Sequence, residues 1–326
     1  MPRRSRIDAP GALHHIMGRG IEGRNIFRNN TDRNDFVDRL STIIAGTGTL
    51  CYAWALMPNH FHLLLRTGNV PIATIMRRLL TGYAGTFNRR HKRRGHLFQN
   101  RYKSILCQQD LYLKELVRYI HLNPLRAGIV ADLDALDGYR YCGHRRLMGR
   151  ASDQWQDTDA VLGMFGPDVT SARAQYRRFV EKGISQGQRP ELTGGGLVRS
   201  AGGWQELKSR RRLQTQVKGD ERILGDTEYV QSVLKAAEET MERKYRLRAG
   251  AFGFEEVLHR ASELFDMPVE MILQPSRSPK RSAARSVVVY WAVRELGMAG
   301  TEAGLKLGLS QSAASRAVSR GEKLVL

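Results

Sequence analysis

The stretch "MPNHFHLLLR", residues 57–66, decides how this chain is read. Its apolar run has the length of a strand, and Pro58-Asn59 ahead of it suits a tight turn or kink. On a strand, residues i and i+2 project to the same side. His60 and His62 would therefore point together, with Phe61 turned the other way into packing. Two imidazoles so spaced can share one divalent cation of the manganese-to-zinc range. They can also be two polar side chains on a sheet face, because H-x-H arises often by chance.

Working outward, "LCYAWALM" (50–57) reads as the strand before the turn, and "GALHHIMGRG" (11–20) as an earlier one with a glycine stop. "TDRNDFVDRLSTIIAGTG" (31–48) reads as a helix. Thr31 is its expected N-cap, Phe36, Leu40, Ile43 and Ile44 its apolar face, and Gly46 and Gly48 its end. Residues 71–94 read as a long helix with a very basic end, 96–107 as a fourth strand, and 110–123 as a helix that Pro124 limits. The order β-α-β-β-α-β-α fits an α+β fold. Its core would be a split βαβ, four-stranded antiparallel sheet with helices on one face.

The chain has 326 residues and a net charge of +20, which points to a polyanionic partner, nucleic acid before an anionic membrane surface. No stretch approaches the length of a membrane span, and the basic N-terminus lacks the apolar core of a signal peptide, so a cytoplasmic protein is expected. Cys51, Cys107 and Cys142, odd in number and far apart, read as buried free thiols. Residues 1–130 carry 21 Lys/Arg against 7 Asp/Glu, and no carboxylate lies between Asp38 and Asp110. That excludes a nuclease whose metals sit among several carboxylates beside the core strands. Any metal there would have neutral ligands.

"VRYIHLNP" (117–124) offers one. Tyr119 and Asn123 are four residues apart, on one face of a helix. The Asn123 amide oxygen could be a third ligand, and the Tyr119 hydroxyl would then face the same cation. A phenol titrating near ~10 needs such help to act as a nucleophile at neutral pH. Against this, Tyr119 could be an ordinary amphipathic-helix aromatic, and Asn123 no more than a helix end.

"MPNHFHLLL", "GHLFQNRYKSI" and "YIHLNPLRAGIV", in that order, resemble the HUH single-strand DNA nucleases, and more narrowly the REP-associated tyrosine transposases, relatives of the single-tyrosine transposases of insertion sequences. The resemblance covers residues 10–130 and trails to 182. It implies a ferredoxin-like nuclease domain with His60 and His62 as histidine ligands, Asn123 in the polar third-ligand position and Tyr119 as nucleophile. The implied cofactor is magnesium or manganese. The implied reaction cuts single-stranded DNA beside hairpins of imperfect palindromes, leaving a 5′-phosphotyrosine and a free 3′-hydroxyl. The resemblance leaves two assemblies open, the homodimer of insertion-sequence relatives and a monomer as among REP-associated ones.

"FNRRHKRRGHLFQNRYK" (87–103) interleaves cations with aromatics, a pattern that suits single strands. Arg89, Arg90, Arg93, Arg94 and Arg101 are its candidate DNA contacts, with a solvated helix end as the plain alternative. "TEAGLKLGLSQSAASRAVSRGEKL" (301–324), with "ARSVVVYWAVRELGMAG" (284–300) before it, resembles the helix-turn-helix of the bacterial replication initiator's DNA-binding domain. A second helix from Gln311 to Arg320 would then enter a duplex major groove, with Ser310, Gln311, Ser312, Ser315 and Arg316 as contacts.

The expected organisation is a nuclease domain (1–130), a helical extension (131–182), a linker (183–226) and an all-α DNA-binding domain (227–326). The function expected is a metal-dependent single-stranded DNA endonuclease and strand transferase. The rivals are a non-enzymatic DNA-binding regulator on an inactive nuclease fold, and a metal-dependent RNA-processing protein on the same fold.

Overall fold

The structure is a computed structural model that describes residues 7–152, 154–187, 189, 192, 220, 222–237, 253–276, 278–296 and 298–325. It divides into two compact units, Met1–Ser232 and Val233–Leu326.

The first unit is built on strands β1 (Leu13–Arg19), β2 (Leu50–Met57), β3 (His60–Arg66), β4 (Lys103–Cys107) and β5 (Ile223–Leu224), in the order β2-β3-β1-β4-β5. The first four are antiparallel and form the split βαβ sheet expected from the element order. A fifth strand, unforeseen, lies in the span 183–226 read as linker. Its two residues pair parallel to β4, Leu106 with Ile223 and Cys107 with Leu224.

Helices α1 (Asn30–Ala45) and α2 (Ile72–Arg90) cover one face of the sheet. Phe36, Leu40, Ile75, Leu79 and Tyr83 pack there against Ile16, Leu56, Phe61 and Leu63. Gly18 permits this: an added Cβ would stand 2.4 Å from the Phe61 ring. Helix α3 (Gln109–His121) covers the other face, with Leu113, Leu116, Val117 and Ile120 on Leu13, Ala53, Ala55 and Leu64. Helices on one face only were expected. The central strands are apolar on both sides, so each face needs a cover.

Several boundaries also move. The N-cap of α1 is Asn29, not Thr31: the Asn29 side chain accepts from the Asp32 amide at 3.0 Å. Helix α2 stops at Arg90 rather than 94, and Lys92 takes a positive φ of 50°. Residues 96–102 do not extend β4. They run beside the end of β1 with a single bridge, Gly20 to Phe98, while Leu97 and Tyr102 turn into the α2 core. Helix α3 ends at His121, and Leu122 joins it to the short α4 (Asn123–Arg126).

The extension folds as α5 (Leu133–Gly138), α6 (His144–Leu147), α7 (Asp159–Leu162) and α8 (Val169–Lys182). It also lines the outer edge of β2: Leu56 N donates to Tyr141 O, Gly143 N to Trp54 O and Asp157 N to Cys51 O, at 2.9–3.0 Å. The β2 edge is thereby covered against stray pairing, and on the far side β5 pairs with Leu106 and Cys107 of β4. All three cysteines are free and buried, as expected.

A helical run α9 (227–237) crosses the boundary between the units. The second unit holds α10 (Phe254–Phe265), α11 (Val269–Leu273), α12 (Pro279–Arg294), α13 (Gly300–Lys306) and α14 (Gln311–Val325) around Leu258, Ala261, Val288, Val289, Ala303 and Ala314. Buried Arg285 donates to the carbonyls of Ile272, Leu273 and Gln274 at 2.6–2.9 Å and to that of Leu307, so one guanidinium closes the ends of α11 and α13. Gly308, φ +63°, makes the turn between α13 and α14. Among the described residues no helix is long and apolar enough to cross a membrane.

Candidate active site

Strand pairing sets the site. In β3, His60 lies opposite Arg19 and His62 opposite Met17 of β1, and the pleat turns both histidines to the α3 face. There they form a cluster: the His60 and His62 rings are 5.4 Å apart, centroid to centroid. A third histidine, absent from the sequence reading, joins them. His15 of β1 stacks on His62 at 5.1 Å, and its Nε2 lies 2.9 Å from His62 Nδ1. The signal was in "ALHHIMG": adjacent histidines on a strand face opposite ways, and β1 is central in a split βαβ sheet, so one of the pair had to meet β3.

Tyr119, near the end of α3, closes the cluster. Its ring stands edge-on to His62 at 5.8 Å and to His15 at 6.0 Å. The Arg126 guanidinium of α4 sits 5.5 Å from the same ring. Asn123 is one turn away, as its spacing implied, and its Nδ2 donates to the carbonyls of Tyr119 (2.9 Å) and Ile120 (3.3 Å). The amide thus binds the end of the helix that carries the phenol.

The hydrogen bonds set the histidine tautomers. Asn59 Nδ2 donates to Gly23 O, so Asn59 Oδ1 faces His60 and accepts its Nδ1–H at 2.7 Å. His60 Nε2 is left as a lone pair. His62 Nδ1 and His15 Nε2 share one proton across 2.9 Å, and when His62 carries it, its Nε2 is likewise a lone pair. Burial lowers the His60 pKa to about 4, helped by the charge of Arg19. Burial also lowers that of His62, helped by His15 and His60. Both are neutral at pH 7, the form in which imidazole binds metal. Among the described residues no three His, Cys, Asp or Glu side chains converge as a metal cage. A cation at His60 and His62 would draw its third ligand from a neutral group, and the donor set fits a divalent ion on those terms.

The arginines of the basic tract divide. Arg89, Arg94 and Arg101 are exposed. Arg90 donates from Nη1 to buried Asp32 at 2.6 Å, beside His91, so it is held by the fold. Arg93 leans on the Phe87 ring at 5.9 Å. In the second unit Ser310, Gln311, Ser312, Ser315 and Arg316 are all exposed, while Ala314 and Ala317 of α14 face the core.

Behind the tyrosine runs a buried polar chain. His144 Nε2–H donates to Asp137, which also accepts from Arg177 Nε. The Tyr176 hydroxyl lies 2.7 Å from both His144 Nδ1 and His121 Nδ1. With Nε2 protonated, His144 accepts the Tyr176 proton, and His121 Nδ1–H donates to the Tyr176 oxygen. This chain fixes the end of α3 to α8.

Residues 11–123 match the family model described as IS200-like transposase. No curated protein matches the chain. Among solved structures, a REP-associated tyrosine transposase bound to a REP hairpin is similar at 15% identity, over 48% of this chain and 94% of that one, with a TM-score of 0.37.

Proposed function

With residues 11–123 a domain of the IS200-like transposase family, we propose that this chain is a transposase-type endonuclease that cuts and rejoins single-stranded DNA through Tyr119. One observation carries the reading: the only phenol edge-on to the His15–His62 pair, among the described residues, is Tyr119, on a helix end held by Asn123.

In this reading His60 and His62 would hold a magnesium or manganese ion, with the Asn123 amide oxygen as the polar third ligand while its Nδ2 binds the helix carbonyls. The ion supplies charge that polarises a non-bridging phosphate oxygen and eases departure of the 3′ oxygen. The protein's own groups do the rest. Tyr119 Oη loses its proton and bonds to phosphorus, the P–O3′ bond breaks, and the 3′ oxygen takes up a proton. The energy of the broken ester is kept in the 5′-phosphotyrosine, so the strand can be rejoined without ATP. Arg19 and Arg126 add positive charge beside His60 and Tyr119. Exposed Arg89, Arg94 and Arg101 track the DNA backbone. The preferred substrate is a hairpin with a single-stranded flank, and α14 docks the chain on duplex.

The test is direct. Labelled single-stranded hairpin DNA, incubated with the protein and manganese, gives a denaturation-resistant adduct, and Tyr119→Phe abolishes it. An adduct that persists in that variant removes Tyr119 as nucleophile. Absence of any adduct in the wild-type protein leaves a DNA-binding regulator.

A further inference from the structure

A second site stands apart from the histidine cluster, and none of the cluster's residues lines it. It is a cleft of about 940 Å³ between α1, the outer edge of β2, residues 140–152 and Trp155. That volume is at the upper end of the range for ligand sites. Its wall is aromatic. Trp155 is half-buried and packs against Trp54 at 5.2 Å, and Trp54 is fixed by donating from Nε1 to Gln156 Oε1 at 3.1 Å. Tyr141 beside them donates to Asn34 Oδ1 at 3.2 Å. The rim is cationic: Arg140, Arg145, Arg146 and Arg150 line the cleft, and among the described lining residues Asp38 is the one carboxylate.

The arginines also shape their loop. Arg145 Nε donates to Arg150 O and Arg146 Nη1 to Ala151 O, at 2.9 and 2.6 Å. A purely structural role accounts for one nitrogen of each. Arg150 lies a longer 3.9 Å from Asp137 and Arg140 6.0 Å from the Tyr141 ring, and these few contacts leave further N–H donors of the four guanidinium groups for a ligand at the aromatic cleft. A rigid ring platform under a cationic rim is the arrangement that holds single strands, because every base has a π-face and every link a phosphate.

We propose that this cleft binds a single-stranded segment of DNA, with a base stacked on Trp155 and its phosphates held by Arg140, Arg145 and Arg150. The ligand class rests on the strand-cutting reading above. The cleft gives the chain a hold on its substrate away from the cleaved bond.

The test uses the full chain and two fluorescent probes of equal length, an oligothymidylate and an abasic deoxyribose-phosphate strand, followed by anisotropy. Trp155→Ala weakens oligothymidylate binding about tenfold and leaves the abasic strand unchanged. Arg145→Gln with Arg150→Gln weakens both. Equal binding of the base-bearing strand by wild type and Trp155→Ala overturns the proposal, as does an unchanged affinity in the double arginine variant. Should Trp155→Ala fail to fold, photocrosslinking of wild type to an iodouracil-bearing oligonucleotide decides. A crosslink within residues 140–155 supports the cleft, and crosslinks confined to other segments refute it. Tyr119→Phe separates the two readings, because it abolishes the adduct and leaves the Trp155-dependent binding intact. Adduct formation without Trp155-dependent binding sinks the cleft alone. Trp155-dependent binding without a wild-type adduct sinks the strand-cutting chemistry alone.

Discussion

His15 is the residue whose importance the linear pattern concealed. Its Nε2 sits 2.9 Å from His62 Nδ1, so it orients the ring that, in the proposed reading, would bind metal through the opposite nitrogen. Groups that hold a ligand's second nitrogen are commonly worth ten- to a hundredfold in metal affinity. His15→Ala is therefore expected to weaken manganese binding about tenfold or more, measured by titration of the free ion's paramagnetic resonance signal, while His14→Ala changes it little. His14 is bonded instead to Asp8 and Ser104. Unaltered manganese affinity in His15→Ala would remove its orienting role. His60, His62, Tyr119 and Asn123 were visible in the sequence because their spacings, two along a strand and four along a helix, are themselves distances. His15 was not, because its distance to His62 is set by the pairing of two strands 47 residues apart.

Among the elements, α14 carries the clearest separable task. Its buried side is small, Ala314, Ala317 and Gly321, and a Cβ at Gly321 would meet the Ser286 carbonyl of α12 at 2.2 Å. That close crossing fixes which side of α14 is left outward, and Gln311, Ser312, Ser315 and Arg316 are on it. If α14 reads duplex DNA, Gln311→Ala with Arg316→Ala lowers duplex affinity by about 1–3 kcal/mol per lost base contact. Adduct formation on free hairpin strands stays unchanged. Equal duplex binding by the double variant, in gel shift at fixed salt, would rule α14 out as the reading helix. Helix α12 runs Pro279–Arg294 rather than 284–300, and α14 runs on to Val325 rather than ending at Arg320. The turn was legible from Gly308, and the start of α14 at Gln311 from the pattern after it. The role of Arg285 was not: its partners are carbonyls at the ends of two other helices, and no pattern within α12 announces them.

Across the molecule, four histidines of the first unit are held neutral, His62, His121 and His144 buried and His60 half-buried. Burial lowers the pKa of His60, with Arg19 assisting, of His62, with His15 and His60 assisting, and of His121, with His144 assisting. In His144 burial prevails over the bond to Asp137. Unfolded, each titrates near ~6.5. Because the folded values are lower, the unfolded chain binds the extra protons. This stability is complete above about pH 6.5 and is lost as pH falls toward the folded values, at about 1.4 kcal/mol per pH unit for each proton taken up only on unfolding. The melting temperature is expected to be level from pH 8 to 7 and to fall steadily from pH 6.5 to 5. A level profile down to pH 5 would contradict the buried neutral histidines. The sequence by itself determined the antiparallel sheet, the order of its elements, the basic character and the facing pairs His60–His62 and Tyr119–Asn123, since all of these follow from local period and charge. Only the tertiary structure decided that His15 joins the cluster, that helices cover both sheet faces, that β5 pairs with β4, and that Tyr141, Gly143 and Asp157 line the outer edge of β2 beside an arginine-rimmed cleft. Those outcomes depend on which distant segments share a surface, and short-range periodicity holds no record of that.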